Sequence, residues 1–261
     1  MAIRLLQLTD LHLSADPEKC IKGVPPRAAL DEVIEHIRTG NLRFDHMVIT
    51  GDLADDGLPE TYRLLRNILG DWLPRCRVLP GNHDSSDAMR TELGDAVGST
   101  DGPLTFAFSV GNWRILGLDS HVAGEVCGRI DEEQLDWLRA QLLAYPQAPT
   151  LLLLHHPPVP VGSRWIDRLR LQDADDLIDL IGEAKQVKYV SAGHVHQEFT
   201  GRVAHATFLT TPSTVVQFTP ATDELTLDAA PPGFRIFELD GDKCTTATVR
   251  LAELRFPPND P

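Results

Sequence analysis

Carboxylates, an amide and imidazoles recur at short, repeated spacings in this chain: Asp10-Leu11-His12, Gly51-Asp52, Gly81-Asn82-His83-Asp84 and Gly193-His194-Val195-His196, with His155 between the last two. Oxygen and nitrogen donors without a thiolate suit two hard-to-borderline divalent metal ions. A pair of such ions polarises a phosphoryl oxygen and generates a nucleophile from water at neutral pH, so the set points to phosphate-ester hydrolysis. On an extended segment, Asp10 and His12 leave the same face and reach one ion. His194 and His196 repeat that spacing. Gly51 lets the backbone approach closely, and a carboxylate at Asp52 can bridge two ions. Asn82 offers a carbonyl oxygen, and His155, after four leucines, a neutral imidazole. His36, His46 and His205 lie outside the pattern and read as surface or packing residues.

Such donors need a rigid frame, and most of the clusters follow a short apolar run that reads as a buried strand: residues 3–8, 47–50, 77–79, 151–154 and 187–192. Helical spacing over 27–38, and over 59–69 behind a first-turn Pro59, separates the first three. Strands separated by helices pair in parallel and collect ligands at their carboxyl ends, where these motifs sit. Residues 104–110 and 113–118, joined by Gly111-Asn112, read as an antiparallel hairpin. Residues 131–143 and 172–181 read as helices, and 157–162 as extended Pro-rich loop. After 187 the pattern is mostly strands, over 199–202, 206–209, 215–218, 234–239 and 245–251. The polar segment 219–232 is expected to cover part of the site. Two mixed sheets packed face to face with helices outside, an α/β fold, is the architecture these elements predict.

With 24 Lys and Arg against 38 Asp and Glu, the net charge of −14 excludes a broad nucleic-acid footprint. An anionic substrate then needs local neutralisation, which two divalent cations supply. No run approaches a membrane span, and MAIRLLQLTD enters a strand without a long apolar leader. Cys20, Cys76, Cys127 and Cys244 are scattered and read as reduced thiols. A cytoplasmic protein is expected.

The order D-x-H, GD, GNHD, H and GHxH resembles the calcineurin-like metallophosphoesterase superfamily, from Leu5 to about Leu251. LLQLTDLHL, LLLLHHPPVPVGSRWID, GHVHQ, TTPSTVVQF and PPGFRIFEL are similar to the bacterial class III cyclic-nucleotide phosphodiesterases, in particular those acting on cyclic AMP. Protein serine/threonine phosphatases carry GDxVDRG and GNHE where this chain reads GDLADDG and GNHD.

The resemblance implies the metallophosphoesterase fold, a four-layer αββα sandwich. The whole chain, residues 1–261, would form one domain, with 219–232 as a cap segment. It implies two iron, manganese or zinc ions. One would be held by Asp10, His12, Asp52 and His196, the other by Asp52, Asn82, His155 and His194. The implied reaction is hydrolysis of 3',5'-cyclic AMP to 5'-AMP by a hydroxide bridging the metals. A broad diesterase for glycerophosphodiesters or 2',3'-cyclic nucleotides is the alternative.

Asn82, His83 and His196 are expected to touch substrate. His83 would protonate the leaving alkoxide, with Asp84 orienting its ring. His156 is expected to make a structural hydrogen bond. Arg164 and Trp165 are candidates for the nucleotide's phosphate or base, with surface packing as the alternative, and His121 is a further candidate. The expected partner is a small phosphodiester, without nucleic acid or membrane; a homodimer stays open beside a monomer.

Overall fold

The computed structural model describes residues 2–40 and 42–259. Leu5 and Gln7 on one side of β1 (Ile3–Leu8), and Leu6 and Leu8 on the other, divide the first half of the molecule into two layers. Leu6 and Leu8 meet Leu30, Val33, Ile34 and Ile37 of α1 (Pro26–Thr39). Leu5 faces the opposite sheet, where Leu151 and Leu153 of β6 (Thr150–Leu153) lie in the same core. The four leucines 151–154 alternate in turn, since Leu152 and Leu154 pack outward toward Leu138 of α4 (Glu132–Ala144) and Ile181 of α6 (Asp175–Glu183). Period-two alternation with apolar residues on both faces is what a strand buried between a sheet and a helix layer requires.

β1 pairs in parallel with β2 (His46–Thr50), and β2 with β3 (Cys76–Leu79). On its other edge β1 runs antiparallel to β12 (Gly233–Asp240), which pairs with β13 (Lys243–Arg250). The second sheet has the order β4 (Phe106–Val110), β5 (Trp113–Gly117), β6, β7 (Val187–Ala192), β9 (Ala206–Thr210) and β8 (Phe199–Val203). The expected hairpin at Gly111-Asn112 joins β4 and β5. The arrangement is the four-layer αββα sandwich of two mixed sheets.

The helices start where the sequence signals them. Pro26 opens α1 and Pro59 opens α2 (Pro59–Leu69), each at a position whose N–H would have no helical partner. Asp131 caps α4 by accepting from the Gln134 N–H at 2.9 Å.

Three local expectations are corrected. The helix expected from Gln172 begins at Asp175, because Asp173 takes φ +53 and breaks the helical path. The strand expected over 215–218 shrinks to β10 (Gln217–Phe218), paired with β11 (Leu227–Asp228), because the Val216 carbonyl is spent on a side chain of the site. An unforeseen helix, α3 (Ser86–Leu93), follows Asp84, with Ser85 as its N-cap.

One polar side chain ties the two sheets together. Gln7, fully buried, donates to Thr50 Oγ1 at 2.9 Å and accepts from Ser191 Oγ at 2.6 Å and Thr211 Oγ1 at 2.9 Å. A buried amide with its partners made is affordable, and here it holds the strand ends that carry the motifs in one register.

Candidate functional site

The loops after β1 and β2 are zipped by main-chain hydrogen bonds. Asp10 N–H donates to Gly51 O at 3.0 Å, His12 N–H to Asp52 O at 2.8 Å, and Leu13 N–H to Leu53 O at 3.1 Å. The loop after β7 docks on them, with the His194 N–H 3.1 Å from both Asp10 carboxylate oxygens. Three motifs distant in sequence thereby share one floor.

The DxH and HxH pairs are not extended, as expected from their spacing, but left-handed. Asp10, His12, Asp52, His194 and His196 have φ values of +53, +44, +49, +70 and +47. Such a conformation is unfavourable for a non-glycine residue, and its clustering here marks a functional site. Asp10 and His12 still turn to one donor group, whereas His194 and His196 divide between two.

Two donor groups result, and Asp52 belongs to both. His12 Nε2 lies 3.2 Å from His196 Nε2 and 3.6 Å from Asp52 Oδ2, and His196 Nε2 is 3.4 Å from Asp10 Oδ1. On the other side, His155 Nε2 lies 3.6 Å from Asp52 Oδ1 and 3.3 Å from Asn82 Oδ1, and His194 Nδ1 is 3.0 Å from that same amide oxygen. Donors about 2.1 Å from a shared cation sit roughly 3.0–3.4 Å from each other, a spacing most of these pairs meet and the two Asp52 contacts slightly exceed.

The tautomers agree as well. His155 Nδ1 is 2.8 Å from the Thr50 carbonyl and His196 Nδ1 is 2.9 Å from the Val216 carbonyl. A carbonyl only accepts, so each Nδ1 carries a proton, and in the neutral ring each Nε2 presents a lone pair inward. Phe218 stacks on the His196 ring at 4.4 Å and 13°, fixing its plane. Asp10, His12, Asp52, His155, His194 and His196 are buried. Burying this many acids and imidazoles without a cation to serve is hard to reconcile with a purely structural role.

The charges within the set are unevenly shared. Burial would raise Asp52, but the charges of His155, His12 and His83 hold it well below the usual carboxylate range. Burial would lower His155, yet Asp52 beside it lifts it to about 9. Burial and the neighbouring His155 push His194 down to about 3, leaving it a neutral imidazole, the ligating form.

Gly51 and Gly81 make the close packing possible. A Cβ on Gly51 would overlap the His155 ring, and one on Gly81 would overlap the Asp52 carboxylate. Gly51 also takes φ +94.

Asp84 does not orient His83. Its carboxylate accepts from the N–H groups of Leu53, Ala54 and Gly81 at 3.0, 2.9 and 2.9 Å and from the Tyr62 hydroxyl at 3.0 Å. All its lone pairs are thus committed to bracing the floor. Burial and the Asp52 charge nevertheless raise it to about 6. Facing His83 instead is Asp55, whose Oδ1 lies 3.4 Å from His83 Nδ1 and 3.5 Å from His12 Nδ1, with Lys19 Nζ 2.7 Å from its Oδ2. His12 and Lys19 outweigh burial and hold Asp55 at about 2. Its signal in the sequence is its place three residues after Asp52 in the loop that carries the bridging carboxylate.

His156 is structural, as expected, with its ring nitrogens 2.8 Å from Ser120 Oγ and 3.1 Å from the Val126 carbonyl. His121 contacts Ser86 Oγ at 3.3 Å. Arg164 turns to Asp223 at 3.3 Å, both largely exposed, whereas Trp165 lines the cleft. His205 Nε2 donates to the Val187 carbonyl at 3.0 Å, a packing role. The cleft above these candidate metal donors, about 210 Å³, is also lined by Asp55, His83, Phe218 and Leu225.

The family model for calcineurin-like phosphoesterases matches residues 3–198, a stretch that contains every one of these donors. The chain belongs to the calcineurin-like phosphoesterase family. Members of this family similar over nearly the whole chain include the 3',5'-cyclic adenosine monophosphate phosphodiesterase CpdA of Escherichia coli (strain K12), 40% identical over 258 residues. That alignment covers 98% of this chain and 93% of the relative. A 3',5'-cyclic-nucleotide phosphodiesterase of Nostoc is 35% identical, covering 98% and 95%. A dimetal phosphatase from Danio rerio shares the fold, with a TM-score of 0.71 at 16% identity over 98% of this chain and 99% of that one. Membership brings a dimetal site with it, and the residues above fit one. Among the described residues no helix is long and apolar enough to cross a membrane.

Proposed function

We propose that this chain is a metal-dependent phosphodiesterase that hydrolyses 3',5'-cyclic AMP to 5'-AMP. The observation that carries the reading is the shared carboxylate. Asp52 turns Oδ2 to the His12 side and Oδ1 to the His155 side, so two ions would be held next to each other. Relatives named for cyclic-nucleotide hydrolysis, similar from end to end, support the substrate.

Asp10, His12, Asp52 and His196 would hold one ion, and Asp52, Asn82, His155 and His194 the other. Nitrogen and oxygen donors without a thiolate suit iron, manganese or zinc. When bound, two such ions supply a nucleophile from water at neutral pH and neutralise the phosphoryl oxygens.

The chain's own residues do the rest. The Thr50 and Val216 carbonyls keep His155 and His196 in the ligating tautomer. Asn82, His83 and His196 line the cleft and would contact the phosphoryl group. Asp55 places the His83 ring so that its other nitrogen hands a proton to the departing 3'-oxygen, a poor leaving group that needs one.

The test is turnover of 3',5'-cyclic AMP beside bis(p-nitrophenyl) phosphate by manganese-loaded protein. Hydrolysis of both, lost with chelator, is expected. Hydrolysis of the nitrophenyl diester alone would reject cyclic AMP and leave the metal chemistry standing.

A further inference from the structure

The cleft has two unlike ends. Its floor is the metal-ligating set with His83, and its far end is apolar, formed by Val126, Trp165, Ile166, Leu169, Phe218 and Leu225. Val126 and Leu225 are 48% and 36% exposed, two of the five most exposed large apolar side chains among the described residues. Apolar surface held open beside a polar site is unfavourable in water and favours a ligand that covers it. Phe218 already stacks on His196, and Trp165 meets it edge-on at 5.0 Å and 79°.

Charge narrows the occupant. Among the described residues Lys22 is the one Lys or Arg that lines the cleft; nearby Lys19 is paired with Asp55 and Arg164 with Asp223. Beyond the phosphate on the floor the cleft offers this one cation, and its apolar end favours an uncharged moiety. A glycerol moiety would find few hydrogen-bonding side chains at this end. A flat aromatic base, by contrast, offers two faces to apolar walls.

We propose that the apolar end seats the nucleobase of the substrate and holds it by its faces, with Trp165 and Leu225 as the principal contacts. The proposal rests on the phosphodiesterase reading above. It makes Trp165 and Leu225 specificity-determining residues outside the metal-ligating set.

The test compares AMP with ribose 5-phosphate as inhibitors of bis(p-nitrophenyl) phosphate turnover by manganese-loaded protein. The two differ only in the base, so their ratio of inhibition constants isolates it. AMP is expected to bind about tenfold or more tightly in the wild type. That ratio should fall to within about threefold in Trp165→Ala and in Leu225→Asn, as expected when a stacking platform is lost. Equal inhibition by both compounds in the wild type overturns the proposal, as does a ratio unchanged in both variants. A general loss of activity leaves the ratio where it was. Leu225→Asn, at a partly exposed position, keeps the test alive if Trp165→Ala does not fold. Because the readout is the nitrophenyl diester, failure to hydrolyse cyclic AMP would count against the function and not against the slot.

Discussion

Asp55 Oδ1 stands 3.4 Å from His83 Nδ1, and the same carboxylate is held by Lys19 at 2.7 Å from the loop opposite. A carboxylate placed this way keeps an imidazole oriented. Asp55→Asn should slow cyclic AMP hydrolysis by about 10–100-fold, and His83→Ala by about 10²–10⁴-fold, the range typical of a lost general acid. Both should lose far less on bis(p-nitrophenyl) phosphate, whose leaving group needs no proton. The double variant should be no slower than His83→Ala. Equal losses on the two substrates would remove the acid role from His83.

Asp84 predicts a stability effect. Asp84→Ala would strand the buried N–H groups of Leu53, Ala54 and Gly81 and the Tyr62 hydroxyl. At about 1 kcal/mol or more for each of the four donors left unmatched, the loss is about 4 kcal/mol or more. Thermal unfolding should therefore fall by roughly 8–16 °C. Tyr62→Phe, which removes one donor, should cost about 1 kcal/mol.

Gly81→Ala tests the close approach on which the site depends. A methyl group there would overlap the Asp52 carboxylate, so metal content by elemental analysis should drop along with turnover. Retention of full metal content would show that the loop yields without disturbing Asp52.

Asp56 gives a pH prediction away from the metal ligands. Burial would raise it, but the Ala15 and Leu58 N–H groups and the Ser14 and Thr61 hydroxyls hold it below its ordinary 3.8. A carboxylate lowered on folding stabilises the protein above 3.8, and that stability is lost as pH falls through the lower folded value. Asp56→Ala should cost about 1 kcal/mol at neutral pH, a modest figure because the residue is exposed. The gap in melting temperature between the two proteins should close in acid below 3.8. A gap that persists there would mean that lost packing, not charge, sets the effect.

The metal donors are readable in the sequence because each is a distinctive residue type after an apolar run. Leu151–Leu154 illustrates the frame: its uninterrupted apolar character fits only a strand buried on both faces. The rest of the centre is not readable for physical reasons. The Thr50 and Val216 carbonyls that set the histidine tautomers belong to the backbone, which any residue provides. Phe218 meets His196 only once the chain has folded back through β8 and β9. Asp84, next to His83 in sequence, turns away because three backbone N–H groups compete for its oxygens, and Asp55 takes its place. The left-handed turns at Asp10 and His12 are equally hidden, since neither is glycine.

The claim on which the account turns is that Asp52 joins two ions in one catalytic centre. Its most direct test is to titrate manganese into chelator-stripped protein while following cyclic AMP hydrolysis and bound metal. Activity should be absent without metal and should saturate as the second ion per chain binds. Asp52→Asn should lose turnover and hold fewer ions. Saturation at a single ion, or hydrolysis that survives complete removal of metal, would contradict it.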